Sequence, residues 1–234
     1  MMRYLVIDRS TSRPGMALFE GNGLAFEEVW DGEPARAPQW MAEVRDALTR
    51  HGVAPASLSA FVCGLGPGSF SGIRGCLAAL HGLALPGGKP VYGVASAAAI
   101  AFAHANGAET VTVVGDARRG RLWCVTYRVG PGDSVVRLYR GARPAHTADD
   151  FRLVPAEELA SAVPAGTRVV SPDWLRLEAV LRASFDAGRL LQQAAYPSAA
   201  ALGALALADP EARVLEPLPI YLHPAVAEGA GCGL

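Results

Sequence analysis

An α/β architecture of two like halves is what this sequence predicts. Three observations carry that expectation. Each half opens on a set of apolar strand candidates, each then changes to helical spacing, and each closes its first strand on an aspartate, Asp8 or Asp116.

Arg3–Asp8, Gly15–Glu20 and Leu24–Trp30 read as strands, separated by Arg13-Pro14-Gly15 and by the hairpin signal Gly21-Asn22-Gly23. From Gln39 to Arg50 apolar residues fall at Trp40, Met41, Val44, Ala47 and Leu48, which is helical spacing. Pro38 suits the first turn of that helix and Gly52 its C-terminal cap. A buried strand (Ala60–Gly64), a glycine-rich loop, a second helix (Gly72–Leu85) and a strand (Val91–Val94) complete a βββαβαβ order. The second half repeats it more loosely. Thr110–Asp116 and Arg121–Arg128 form a hairpin, with Val135–Arg140 as a third strand and Arg168–Ser171 as a later one. Helices are expected at Ala156–Val163, Pro172–Arg182 and Ser198–Ala208. Two βββαβα-like halves point to a duplicated ribonuclease-H-like fold with two lobes, the ASKHA architecture of actin and the sugar kinases. The expected division is 1–106 for the first lobe and 107–234 for a smaller second one.

Composition narrows the function. With 51% hydrophobic and 18% charged residues the chain has the balance of a folded domain, and its net charge of −1 advertises neither nucleic acid nor an anionic membrane. Lys89 is the only lysine and precedes Pro90, so no glycine-rich phosphate loop ending in lysine exists. Cys63, Cys76, Cys124 and Cys232 form no C-x-x-C pair and read as reduced thiols. The five histidines include no H-x-x-x-H or H-E-x-x-H pair, and no metal site is expected. The opening run meets Asp8 at once and gives no secretory pattern. Val91–Ala105 is too short and too interrupted to span a membrane, so a buried strand and helix are expected there. The expected location is the cytoplasm.

The most distinctive run is Gly66-Pro67-Gly68-Ser69-Phe70-Ser71-Gly72-Ile73-Arg74. It leaves a strand and opens a helix. A tight connection with a serine-capped helix is its first reading, and an anion held at the helix N-terminus the second. It is not a nucleophile elbow, because G-x-S-x-G fails. The helix that follows carries only Arg74 and His81 as charged or titratable groups, with Gly75, Ala79 and Gly82 as a stripe of minimal side chains. On this pattern internal packing and a subunit interface weigh equally. Asp116-Ala117-Arg118-Arg119-Gly120-Arg121 reads first as a solvated hairpin turn; Asp8, Asp116, Arg118 and Arg119 are the candidates for an anion site. Neither Asp8 nor Asp116 opens a D-x-G hairpin, so a nucleotide site of the kinase type looks degraded.

At these residues the chain resembles the TsaB (YeaZ) family. Leu5-Val6-Ile7-Asp8 with Ser10-Thr11, the Gly66–Arg74 run, His81-Gly82-Leu83-Ala84-Leu85, Gly93-Val94-Ala95-Ser96, Asp116–Gly120, Tyr196-Pro197-Ser198-Ala199 and Pro219-Ile220-Tyr221-Leu222 carry the likeness. It departs at Arg9, where threonine is usual, at Arg121 for glutamate, at Arg36-Ala37-Pro38-Gln39, and at His223 for arginine. The resemblance implies a non-catalytic subunit that needs no cofactor. Its implied role is to bind and activate a TsaD-type enzyme for threonylcarbamoylation of the adenosine beside the tRNA anticodon. It further implies a TsaE-type ATPase at that dimer, a homodimer when the partner is absent, and contact with tRNA only indirectly. Partner contact would use the two first-lobe helices, through Trp40, Val44, Arg74, Leu77, Leu80 and His81. The rival expectation is a nucleotide-dependent small-molecule kinase of the same fold.

Overall fold

The computed structural model describes residues 1–30, 39–105, 110–130, 136–141 and 143–222. Arg36, Ala37, Pro38, Val135, His223, Cys232 and the 106/107 division lie outside the described residues.

Residues Leu5–Asp8 are all buried, because their strand is paired on both sides within a sheet. That sheet contains β1 (Arg3–Asp8), β2 (Gly15–Glu20), β3 (Gly23–Val29), β4 (Ala60–Gly64) and β5 (Val91–Val94), in the order β5-β4-β1-β2-β3. β1 runs antiparallel to β2 and parallel to β4. β3 is the edge strand, and its charged Glu27 and Glu28 suit that place. α1 (Trp40–Arg50) buries Trp40, Val44, Ala47 and Leu48, and Gly52, at φ 66°, turns the chain out of it. α2 (Phe70–Ala84) starts two residues earlier than its spacing predicts, since Ser69 caps it by accepting the Gly72 amide at 3.2 Å. α3 (Ser96–His104) is alanine-rich and buries every residue from Ser96 to Ala101. It lies against strands of the second sheet and against a later apolar helix (Ala199–Ala208), so no face of it needs to be polar.

The second sheet contains β6 (Thr110–Arg118), β7 (Arg121–Val129), β8 (Val136–Leu138), β9 (Arg152–Pro155), β10 (Arg168–Ser171) and β11 (Leu190–Ala194). Its order is β11-β10-β6-β7-β8, with β9 also paired to β7. β6 runs antiparallel to β7 and parallel to β10, and β10 runs parallel to β11. Strand for strand this is the order and direction of the first sheet. The duplicated, two-lobed ribonuclease-H-like fold is therefore present. α4 (Leu159–Ala162), preceded by a 3₁₀ turn, and α5 (Trp174–Ser184) flank this sheet.

The chain then returns to the first sheet, which its order alone does not predict. α6 (Ala199–Ala208) packs on β1, β2, β4 and α3 rather than on its own half. A side chain on Gly203 would meet the Phe19 ring at 2.3 Å, which explains glycine in a helix interior. β12 (Val214–Leu215) adds antiparallel to β5, and the Ile220 amide donates to the Leu65 carbonyl at 2.9 Å.

Candidate functional site

Asp8, at the end of β1, is fully enclosed. Its Oδ1 accepts the Ser10 amide at 2.8 Å and the Ser10 hydroxyl at 2.7 Å, and its Oδ2 accepts the Ser96 hydroxyl at 2.5 Å. Burial raises its pKa against the opposing effect of those three donors. Room for the carboxylate comes from Gly64, where a Cβ would fall 1.8 Å from Oδ2.

The turn after β1 packs directly on the glycine-rich loop. Ser69 donates its amide to the Ser10 carbonyl at 2.7 Å. A Cβ on Gly68 would stand 2.0 Å from that same carbonyl oxygen, and one on Gly72 would stand 2.1 Å from the Arg9 carbonyl oxygen. Glycine is required at both places because main chain meets main chain. Gly66, at φ 91°, lies on a cis peptide bond to Pro67. Ser69 caps the helix, while Phe70 and Ser71 are exposed at its start. The loop's glycines thus fit two loops together, in keeping with the first reading of the motif.

Between the lobes lies a cleft of about 520 Å³, lined by Ser10–Ser12, Pro67–Phe70, Asp116–Arg118, Trp123, Asp173, Arg176 and Ile220–Leu222. Phe70 and Tyr221 meet at 4.7 Å at its rim, and the Arg74 guanidinium sits 5.0 Å from the Phe70 ring centre. On the far side the Asp116 amide donates to Asp173 Oδ2 at 2.9 Å, and Asp116 Oδ1 accepts the Arg118 amide at 2.7 Å. Arg118 and Arg176 lie 3.3 and 3.5 Å from Asp116 Oδ2. Burial raises the Asp173 pKa against the pull of the Asp116 amide and Arg176. Arg118, Arg119 and Gly120 all have positive φ and make the turn between β6 and β7.

Of the four anion-site candidates, Asp116 and Arg118 come together and Arg119 stands exposed beside them, whereas Asp8 is sealed away from the cleft. The two arginines facing the cleft are already answered by two carboxylates, so the cluster is close to neutral. Among the described residues no group of three or more His, Cys, Asp or Glu could hold a metal ion. Cys63, Cys76 and Cys124 are buried and free, and burial pushes the Cys63 thiol well up. Among the described residues no helix is long and apolar enough to cross a membrane.

The residues expected at a partner interface divide sharply. Trp40, Val44, Leu77 and Leu80 are buried inside the chain, Leu80 completely, because they form the inward face of their helices. In this conformation the chain's own core covers them. Arg74 and His81 are exposed. The outward face of α2 also presents Phe70, Ser71, Ala78 and Gly82, with Leu85 just beyond it 81% exposed. No acidic residue occurs on it. Sequence reasoning missed Ala78 and Leu85 because inward and outward apolar residues alternate on a helix with little polar surface.

The family model described as TsaD, tRNA N6-adenosine threonylcarbamoyltransferase, matches residues 37–137. The tRNA threonylcarbamoyladenosine biosynthesis protein TsaB of Escherichia coli is 33% identical over 130 residues, 54% of this chain and 55% of that one. An uncharacterized Mycobacterium tuberculosis (H37Rv) protein is 32% identical over 189 residues, 73% of this chain and 84% of the relative. The chain spans about half the length of the Escherichia coli relative and of an uncharacterized Mycobacterium leprae one, 55% and 50%. The structure of YeaZ from Pseudomonas aeruginosa superimposes with a TM-score of 0.71 at 26% identity, covering 95% of this chain and all of that one. This chain belongs to the TsaB (YeaZ) family. The Gly66–Arg74 run, which carries part of the resemblance, is therefore the loop that packs on residues 9 and 10.

Proposed function

We propose that this chain is a TsaB-type partner subunit in threonylcarbamoyladenosine biosynthesis. In this reading it binds a TsaD-type catalytic subunit through the outward faces of α1 and α2 and performs no chemistry itself. The observation that carries the proposal is the outward face of α2: exposed, free of acids, and bounded by an exposed Phe70 and Leu85. Phe70, Ala78 and Leu85 lose their unfavourable contact with water when a second helix covers this face. A TsaE-type ATPase joins at the same dimer, tRNA is met through the catalytic subunit, and a homodimer over this face forms when the partner is missing. The non-catalytic part of the reading is supported by the enclosure of Asp8 and by loop glycines already occupied by main chain.

Size-exclusion chromatography of the chain, alone and with the TsaD-type protein of the same source, tests it. A mixed complex that supports tRNA threonylcarbamoylation is the expected result. Turnover of ATP by the isolated chain, abolished by Asp8→Asn, would favour the kinase alternative instead.

A further inference from the structure

Arg9 carries a charge that nothing described in its own chain answers. It follows β1, and its guanidinium lies 4.5 Å from the centre of the Trp40 ring at the start of α1. Its Nη1 is 3.8 Å from where a Cβ on Gly75 of α2 would stand. The group therefore occupies the crease between the two helices. Its Nε is buried with no hydrogen-bond partner, and among the described residues the guanidinium forms no ion pair. Glu43 on α1 feels its charge without bonding to it, and burial pulls the Arg9 pKa below the usual arginine range. A half-buried cation with an orphaned donor is unfavourable in an isolated fold.

We propose that Arg9 is an anchor for an aspartate or glutamate carboxylate presented by a helix of the TsaD-type partner, lying across the crease between α1 and α2. This rests on the partner reading above. Charge complementarity favours an acidic occupant, because the adjoining face of α2 offers Arg74 and His81 and no acid. Space is present, since Gly75 carries no side chain over the crease and a Cβ on Gly82 would meet nothing within 4 Å. Stacking on Trp40 holds the guanidinium plane in place before binding, so a two-oxygen carboxylate meets a fixed fork at little cost in side-chain freedom.

The test measures the affinity of the full chain for the TsaD-type subunit of the same source, at fixed salt, for wild type, Arg9→Thr and Arg9→Lys. Arg9→Thr is expected to weaken binding by about tenfold or more, chiefly through faster dissociation. Arg9→Lys should restore only part of it, because an ammonium lacks the fork. The melting temperature of each isolated variant should stay at or above that of wild type. Affinity of Arg9→Thr within about twofold of wild type overturns the anchor while leaving the partner reading intact. A clear drop in the melting temperature of Arg9→Thr alone also overturns it, by showing that the cation serves its own chain. Failure of the wild-type chain to bind at all removes the partner reading, and the anchor falls with it.

Discussion

The Ser96 hydroxyl donates to Asp8 Oδ2 at 2.5 Å while its oxygen accepts the Gly66 amide at 3.0 Å. One hydroxyl thus ties the end of β1, the start of α3 and the entry to the glycine-rich loop. The carboxylate it serves is buried, and burial raises its pKa above the ordinary value of 3.8. A folded-state pKa above the unfolded one means that the native state holds the proton more tightly. The contribution of Asp8 to stability is therefore greatest below pH 3.8 and is lost as pH rises through the folded-state value. Asp8→Asn cannot titrate. Urea unfolding from pH 4 upward should show wild type losing stability relative to Asp8→Asn as pH increases. A difference that stays constant across that range would show that Asp8 titrates alike in both states.

The main-chain packing of the motif loop makes a second prediction. Gly68→Ala and Gly72→Ala each place a Cβ about 2 Å from a carbonyl oxygen of the Arg9-Ser10 turn. The turn must shift, and a loss of about 1–3 kcal/mol is expected for each in urea unfolding. Gly82→Ala is the contrast, since its Cβ meets nothing within 4 Å. It should stabilise the isolated chain by about 0.5–1 kcal/mol through helix propensity. Equal effects at all three positions would mean that propensity, and not the fit of two loops, decides the glycines.

Much of this was legible in the sequence wherever one interaction dominates. The bounds of β1, β2, β4, β5 and β10 follow from apolar runs closed by turn residues. β9, β11 and β12 were not legible, because Pro155, the Gln192-Gln193 pair and a length of two residues give no strand pattern. The return of α6 to the first sheet was hidden for another reason. An all-apolar helix states that it is buried and does not state by which sheet. The faces of α2 were hidden in the same way: Leu77 and Leu80 mark an apolar helix, while only the fold separates their inward face from the outward Ala78 and Leu85. Arg9 stood out in the sequence as a departure, but its unanswered charge appears only once Trp40 and Gly75 are seen around it.

That division of faces decides what Leu80→Glu should do. Leu80 is completely buried, so a carboxylate there would be desolvated inside the chain itself. The substitution is expected to cost about 3–5 kcal/mol and to lower the urea midpoint of the isolated protein. Ala78→Glu, on the exposed face, should leave the midpoint nearly unchanged yet remove the mixed complex on size exclusion. A stable Leu80→Glu chain would mean that α2 can turn its inner face outward.

The lobes are also joined by an ion pair that no sequence pattern announces. Arg137 on β8 donates to both carboxylate oxygens of Asp209, just after α6, and to Glu211 at 2.9 Å. The Asp209 side chain is only 5% exposed, whereas that of Glu211 is 75% exposed. Hydrogen bonding to Asp209 raises the Arg137 pKa, against a smaller opposing effect of burial. Because β8 belongs to the second sheet and α6 packs on the first, this pair fastens the returning chain across the lobes. Asp209→Ala leaves the guanidinium only the solvent-exposed Glu211 and should cost about 1–3 kcal/mol in urea unfolding. Glu211→Ala removes only a solvent-screened contact and should cost less than about 1 kcal/mol. The decisive measurement is the double-mutant cycle of Asp209→Ala with Arg137→Met. A coupling near zero would show that the two residues act independently and that α6 is held by its apolar packing alone.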